Sequence, residues 1–384
     1  MKRLILSLVL AGVALHSIIA QERENEALTF EASFLGDVVS NFKGGIKEGQ
    51  TGIGLIHLTA NLNTDFAKLW KGGNFFIHAH HVVGGHPSEQ LIGDIQVASN
   101  IDGFTNRFIY ELWYSQNIRN VTLFAGLHNL NDVFHVSENA SVYLNSSFGI
   151  SPSLSLNNAI SIYPVTTLGG VARWDTDKLS IVGGLYNFGH AFAAENQFNI
   201  KNHVFRDGFF SLFEVQYRIK NGDEPKAEFK FGITYKRCAN NHAHFTEECP
   251  EKSQYSSYFL TDYTFFKSVT GKCLAAFVQT GYSPGKYSYS PFYLGTGVNL
   301  KGFLLGNHMD ELAIAFATAR INHYKQDVSK YELFKSESLI ELTYKIPLYK
   351  RISLQPDLQY IINPAGAEGS RNAFVGLLRT EIVF

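Results

Sequence analysis

The chain has 384 residues, a net charge of -1 and an aromatic content of 14%, with 31 Phe and 19 Tyr. This near-neutral balance argues against nucleic-acid binding, because contact with a phosphate backbone needs an excess of basic side chains. Beyond the first 20 residues the sequence has no apolar run of about 18 residues, which excludes a protein built from transmembrane helices.

The amino terminus has the pattern of a secretory signal. Lys2 and Arg3 precede an apolar stretch over 4–19, and Ala20 is a suitable last residue before cleavage. The alternative is an uncleaved membrane anchor, for which the stretch is short. We therefore expect a signal peptide at 1–20 and a single domain at 21–384.

Alternation with a period of two recurs along the rest of the chain and predicts strands. Within 208–236, for example, Phe213 and Tyr217 alternate with Glu214 and Gln216, and a similar run follows the turn at 221–225. The pattern predicts about sixteen strands, at 28–38, 53–62, 73–83, 107–117, 121–128, 171–175, 178–188, 208–219, 227–236, 256–265, 272–282, 291–301, 310–320, 336–347, 350–362 and 372–384.

The charges in these strands lie on one parity and the large apolar side chains on the other. In a wide membrane barrel the apolar parity faces lipid and the polar parity faces a watery lumen. A soluble β-sandwich would instead need a core of Phe and Tyr from nearly every strand. The last strand fits the membrane case, since Arg379 and Glu381 alternate with Leu378, Ile382 and the terminal Phe384.

Connection lengths point the same way. The predicted connections after even-numbered strands are mostly short, whereas several after odd-numbered strands are long, at 84–106, 129–170, 189–207, 237–255 and 321–335. We therefore predict an all-β transmembrane outer-membrane antiparallel barrel of about sixteen strands, with short periplasmic turns and long extracellular loops. The longest connection, 129–170, is the one expected to fold inward and narrow the lumen.

The three cysteines leave two interpretations open. Cys238 and Cys249 bracket a polar loop and could form a disulfide after secretion, which leaves Cys273 over. A metal site formed with His242 and His244 is the alternative, although the spacing matches no standard zinc pattern.

Several sequence blocks, in order, resemble the carbohydrate-selective porins of the OprB family. They are 93–102, Tyr110-Glu111-Leu112-Trp113-Tyr114, 145–152, Tyr163-Pro164, Leu168-Gly169-Gly170, Glu341-Leu342-Thr343-Tyr344 and 355–364. The resemblance covers nearly all of the chain after the signal. It implies a sixteen-stranded barrel through which mono- or small oligosaccharides diffuse across the outer membrane, in contact with its lipid, as a monomer or a trimer.

A sugar-selective channel needs polar groups for hydroxyls and aromatic faces for the apolar side of the ring. If Phe108, Tyr110, Leu112 and Tyr114 face lipid, then Arg107, Glu111 and Trp113 face the lumen, where they form our first candidate sugar contacts. The resemblance supports these residue types at a constriction. The alternative is that Arg107 and Glu111 only pair with each other.

Polar loop residues form a second set of candidates. Asn129, Asn131 and Asp132 are predicted sugar contacts, with Asn145, Ser146, Asp94, Asn100 and Asp102 as weaker ones; all could instead cap backbone groups in turns. His78 and His80 share a strand parity, and without a visible carboxylate or Cys partner they are expected to be lumen-facing polar residues rather than metal ligands.

The sequence contains no arrangement of residues that indicates a catalytic site. The sequence contains neither a G-x-S-x-G elbow nor an H-E-x-x-H motif. We therefore expect a passive porin with no cofactor, no metal and no enzymatic activity. An outer-membrane barrel enzyme of the lipase or protease type and a loop-mediated adhesin remain the alternative hypotheses.

Overall fold

The computed structural model describes residues 26–103, 109–188, 198–199, 203–222, 224–239, 252–305, 310–322, 336–366 and 369–384. Within these residues, sixteen strands follow one another in chain order around a closed antiparallel barrel. They are β1 Leu28–Lys43, β2 Gly49–Asn63, β3 Gly73–Gly84, β4 Ile109–Ile118, β5 Val121–His128, β6 Thr167–Asp175, β7 Leu179–Asn187, β8 Gly208–Asn221, β9 Glu224–Cys238, β10 Ser253–Lys267, β11 Cys273–Tyr282, β12 Phe292–Lys301, β13 Glu311–Arg320, β14 Ser336–Tyr349, β15 Ile352–Ile362 and β16 Ala373–Val383. The predicted barrel and all sixteen predicted strands are confirmed.

The barrel closes where the first strand pairs with the last. Phe34 lies opposite Ile382 and Asp37 lies opposite Arg379 in the β1–β16 register. Because every strand thereby has two neighbours, the sheet has no free edge to pair with another chain.

The two faces of the wall follow the predicted alternation. On β8 and β9, Phe213 and Phe231 are exposed on the outside, whereas Glu214 and Lys230 are buried on the inside. The barrel therefore presents apolar side chains outward and polar side chains inward, the arrangement of a membrane barrel.

One predicted orientation is wrong. Tyr110 was expected to face lipid, but it is 5% exposed and its ring lies 4.7 Å from that of His80 and 6.2 Å from that of Tyr163. The cause is a bulge in the β3–β4 pairing, where Ile109 opposes Ala79 and Glu111 opposes His78, so that Tyr110 is the extra residue. A bulge shifts the alternation by one residue and turns this side chain inward.

Two long connections enter the barrel. We call residues 85–103 the first inner loop and residues 129–166 the second inner loop. Their apolar side chains Ile92, Leu130, Phe134 and Phe148 are at most 1% exposed and belong to clusters shared with inward side chains of the wall. The hydrophobic core of this protein therefore lies inside the barrel, between the loops and the wall.

Inward aromatic rings lie flat over glycines of neighbouring strands. A Cβ atom at Gly232 would lie 2.0 Å from the ring of Tyr258, and one at Gly169 would lie 2.2 Å from that of Tyr186. Glycine at these positions lets a large ring pack against the wall without protruding far into the lumen.

Connections after even-numbered strands are mostly the shorter ones, and several after odd-numbered strands are long, as predicted. Two residues, Arg119 and Asn120, join β4 to β5, and Lys350 with Arg351 joins β14 to β15, whereas 129–166 separates β5 from β6. No helix in the described part of the chain is long and apolar enough to span a membrane. The predicted signal peptide at 1–20 lies outside the described residues.

The cysteines are placed only in part. Cys238 ends β9 and is disulfide-bonded, and Cys273 at the start of β11 is free. Cys249, like His242 and His244, lies outside the described residues, so the pairing with Cys238 stays a prediction.

Candidate functional site

The second inner loop is fastened to the wall by carboxylates that accept its backbone N–H groups. Glu214 on β8 accepts from the amide of His135 at 2.9 Å. Further around the barrel, Glu341 on β14 accepts from the amides of Leu144 at 2.6 Å and Asn145 at 3.1 Å. These bonds join the loop to strands six positions apart in the barrel, so the loop crosses the lumen.

Strands β9 and β10, which lie between these two points, and β15, next to β14, add further contacts to the same loop. Asp262 accepts from the Ser137 hydroxyl at 2.7 Å and from the Asn139 amide at 3.1 Å. Lys230 donates to the Val136 carbonyl at 2.6 Å, and Gln355 to that of Val142 at 2.7 Å. The second inner loop is therefore tied to wall side chains along much of its length.

The first inner loop is also held by a wall carboxylate that accepts its backbone N–H groups. Glu337 on β14 accepts from the amides of Ile95 at 2.9 Å and Gln96 at 3.0 Å. The two inner loops also bond to each other, since the Ser146 amide donates to the Val97 carbonyl at 2.9 Å. Together they form one internal layer that narrows the channel.

These contacts explain why so many charged residues lie on the inner parity. Glu214, Glu337 and Glu341 are all 0% exposed, and burying a carboxylate is costly unless it accepts hydrogen bonds. Backbone N–H groups supply those bonds and are themselves satisfied by them. The inner charges of β8 and β14 therefore support the loops rather than face free water.

The structure brings together four of the six predicted sugar-contacting residues. Glu111 accepts from the Asn129 amide at 3.1 Å and from Nε1 of Trp113 at 3.3 Å, and Asn129 donates to Asp132 at 2.6 Å. The group lies where β4, β5 and the start of the second inner loop meet. Arg107 lies outside the described residues, so its predicted sugar contact and the alternative pairing with Glu111 both stay predictions.

Turn chemistry accounts for several of the other polar candidates. Asn129 accepts from the Asn131 amide at 3.2 Å and Asn145 from the Ser147 amide at 3.1 Å, each at the start of a short 3₁₀ turn. Asn131 itself donates to the carbonyls of Phe134 and Gly149, both at 3.2 Å. These asparagines shape the second inner loop, as the turn interpretation anticipated.

The candidates of the first inner loop are dispersed. Asp102 lies 3.0 Å from His86, and the Asn100 side chain donates to the Tyr143 carbonyl at 3.5 Å. Asp94 is 8% exposed, and its two oxygens make no hydrogen bond within the described residues. Ser146 starts one of the 3₁₀ turns of the second inner loop.

A strip of half-buried rings faces the lumen beside Glu111. Trp113 on β4 stacks on Phe76 of β3 with ring centres 4.8 Å apart and planes 28° apart. His57 Nδ1 lies 2.7 Å from His78 Nε2, and His78 Nδ1 lies 3.3 Å from Glu111. The expectation that His78 lacks a carboxylate neighbour is wrong, because the strand register places Glu111 directly opposite it.

This aromatic strip, formed by His57, Phe76, His78 and Trp113, has the chemistry that a sugar ring needs. Its flat apolar faces suit the CH groups of a pyranose, and the neighbouring Asp132 carboxylate suits hydroxyls. The sequence indicated Trp113 as a sugar contact and His78 as a lumen-facing polar residue, but it did not single out His57 or Phe76. Both residues occupy positions of β2 and β3 whose side chains face the lumen, and this position in the alternation could have identified them.

Asp132 is the polar residue of this region that water reaches most freely, being exposed where its neighbours Glu111 and His128 are buried. Partial desolvation against the wall, followed by the adjacent Glu111 carboxylate, raises the pKa of the Asp132 carboxyl above its usual range. Within the described residues, no Lys or Arg forms an ion pair with either group. The two carboxylates therefore share a site that favours a bound proton or cation.

Comparisons with known proteins extend these observations. A family model described as "Carbohydrate-selective porin, OprB family" matches residues 50–384. A comparison with curated protein sequences gave no match.

Solved porin structures are similar over almost the full chain. A high-pH structure of Pseudomonas putida OprB is 16% identical with a TM-score of 0.79, covering 93% of this chain and 94% of that one. Its low-pH structure is 13% identical with a TM-score of 0.58, covering 93% of each chain. An anion-selective porin from Comamonas acidovorans is 12% identical with a TM-score of 0.55, covering 93% and 99% respectively. At these identities the likeness concerns the fold.

Proposed function

The chain belongs to the carbohydrate-selective porin family, and from this we propose that small neutral sugars cross its lumen passively beside the aromatic strip. The observation that carries the proposal is the combination of a narrowed lumen with stacked rings, Trp113 on Phe76, left half-exposed in the wall. Sugar flux through such a channel follows the concentration gradient and needs no cofactor. Binding has to stay weak, because a tightly held sugar would not leave the channel.

The contact residues we propose are Trp113 and Phe76 for the sugar faces and Asp132 for hydroxyls, with His78 beside them. Glu111 contributes indirectly, because its oxygens already hold Asn129, Trp113 and His78. Arg107 and Asn131 remain proposed contacts from the sequence.

We place the protein in the outer membrane of a Gram-negative bacterium, after export and removal of residues 1–20. The short connections would then face the periplasm and the long ones the exterior. Its partners in this location are mono- or small oligosaccharides and membrane lipid, and it acts as a monomer or a trimer. Family and fold are those of a channel and do not favour the enzyme or adhesin hypotheses.

Liposome swelling tests the proposal. Purified protein in liposomes is compared for entry of glucose, a disaccharide and a charged amino acid. Fast glucose entry with slower entry of the charged solute supports a sugar-selective porin, and equal entry of all three supports a general pore. Absence of swelling with correctly folded protein would reject the porin function.

A further inference from the structure

Three side chains beside the aromatic strip form a group with the donor types of a metal site, although Asp132 among them is also a proposed sugar contact. Ligand atoms of Glu111 on β4, His128 on β5 and Asp132 in the second inner loop all lie within 4.8 Å of one another. From this geometry we propose that the group binds one divalent transition-metal cation of the Zn²⁺ type, which joins the root of the second inner loop to the wall.

The donor set fits this class of cation. Zinc is bound by imidazole nitrogen and carboxylate oxygen, commonly by three protein ligands with a water in the fourth position. With bonds of about 2.0–2.2 Å, the ligands of a tetrahedral zinc ion lie about 3.4 Å apart. A contraction of this size from the observed separations is within reach, because Asp132 is exposed on a loop.

The surroundings of His128 supply an independent reason. The residue is 2% exposed, and its Nδ1 lies 3.0 Å from the Tyr186 hydroxyl. Metal-binding histidines have one ring nitrogen held by a neighbouring polar group while the other binds the ion. Tyr186 can take that orienting role here.

Charge balance supplies a further reason. Glu111 and Asp132 face each other without a Lys or Arg partner in the described part of the chain, so a cation at this point would neutralise a repulsive pair. Glu111 is itself fixed by the Asn129 amide and by Nε1 of Trp113. A fixed carboxylate, a fixed imidazole and one movable carboxylate form a site that is mostly arranged before the metal arrives.

Isothermal titration calorimetry of the purified, folded protein with ZnCl₂ tests the site. We expect one equivalent of zinc to bind, and Asp132→Asn and Glu111→Gln each to weaken that binding at least tenfold. Excess MgCl₂ should not compete, because Mg²⁺ prefers an all-oxygen octahedral site. His86→Gln, which alters another imidazole–carboxylate pair, should bind zinc as the unchanged protein does.

Thermal unfolding supplies a second measurement that does not depend on transport. At one fixed zinc concentration the melting temperature should rise less for Asp132→Asn than for the unchanged protein, because stabilisation by a ligand of the folded state falls as its affinity falls. Asp132 is exposed, so this variant is expected to fold. Zinc binding to Asp132→Asn with the affinity of the unchanged protein, or zinc binding that is lost only on changing His57, would overturn the proposal.

Discussion

Asp37 and Arg379 lie directly opposite each other across the seam that closes the barrel, and two parallel hydrogen bonds of 2.7 Å join them. The two side chains are 1% and 7% exposed. Asp37 also accepts from the Ser99 hydroxyl at 2.6 Å, so the same carboxylate holds the first inner loop. Closure of the barrel and placement of that loop thus share one ion pair.

Removing one partner of this pair should destabilise the barrel. Asp37→Ala leaves the Arg379 guanidinium buried without its partner, and breaking a buried pair in this way costs about 3–5 kcal/mol. Folded and unfolded barrels can be told apart on gels by the different mobilities of unheated and heated samples. The urea concentration at which half of the protein is unfolded should be lower for Asp37→Ala than for the unchanged protein. Lys345→Met is the control, because the Lys345–Glu381 pair is 41% and 31% exposed and should contribute less than about 1 kcal/mol. Equal shifts for the two variants would contradict this account.

Releasing the second inner loop should widen the channel. Glu341→Ala leaves the amides of Leu144 and Asn145 without acceptors, at about 1–3 kcal/mol for each unsatisfied group. We expect a larger single-channel conductance in planar bilayers and weaker discrimination between glucose and a disaccharide. Glu381→Gln changes a more exposed inward carboxylate that does not hold the loop, and its conductance should stay close to that of the unchanged protein.

Trp113 should contribute to sugar affinity because its indole ring offers a flat apolar face to the lumen. Trp113→Ala removes a stacking surface contributing about 1 kcal/mol, which corresponds to roughly a fivefold weaker sugar affinity. Sugar-induced noise in the ion current measures this affinity. The matched control is Trp174→Ala, since Trp174 is 40% exposed on the outer face of β6. If both variants reduce affinity alike, the aromatic strip is not the sugar contact.

His135 in the second inner loop should make stability depend on pH. Burial lowers the pKa of His135 to about 4, from 6.5 in its ordinary state. Because the folded state resists protonation, the unfolded state binds more protons between these values, and the contribution of neutral His135 is lost as pH falls from about 6.5 to about 4.

The measurement is the urea midpoint at pH 7.5 and pH 4.5. His135→Gln should lose less stability over this interval than the unchanged protein, because glutamine has no group that titrates there. The difference between the two proteins isolates His135 from other groups that titrate in the same range. Parallel losses in both would show that His135 does not cause the dependence.

The barrel could be predicted from the sequence because the alternation of apolar and polar residues that defines each strand is a local pattern. Alternation at positions such as Phe213 and Glu214 reports which face each residue takes, and sixteen repetitions of that rule give the strand count. The rule fails at Tyr110, where a single-residue bulge changes the parity and the sequence around it carries no signal of the extra residue.

The constriction depends on long-range contacts, which local patterns do not contain. The amide of Leu144 and the carboxylate of Glu341 meet across nearly two hundred residues, and neither residue is unusual in its own segment. Glu111, Trp113 and Asp132 were identified individually by type and parity. They come together at the start of the second inner loop because of the register in which β3, β4 and β5 pair, and this register cannot be read from the local sequence.

The wall carboxylates have a consequence for charge selectivity. While the second inner loop is in place, Glu214, Asp262 and Glu341 are occupied by its amides and hydroxyls and are hidden from passing solutes. A barrel shortened by deletion of that loop would leave the same groups facing open water as a band of negative charge. Rings of carboxylates favour cations in wide pores, so the loop would be what keeps this barrel from behaving as a cation channel.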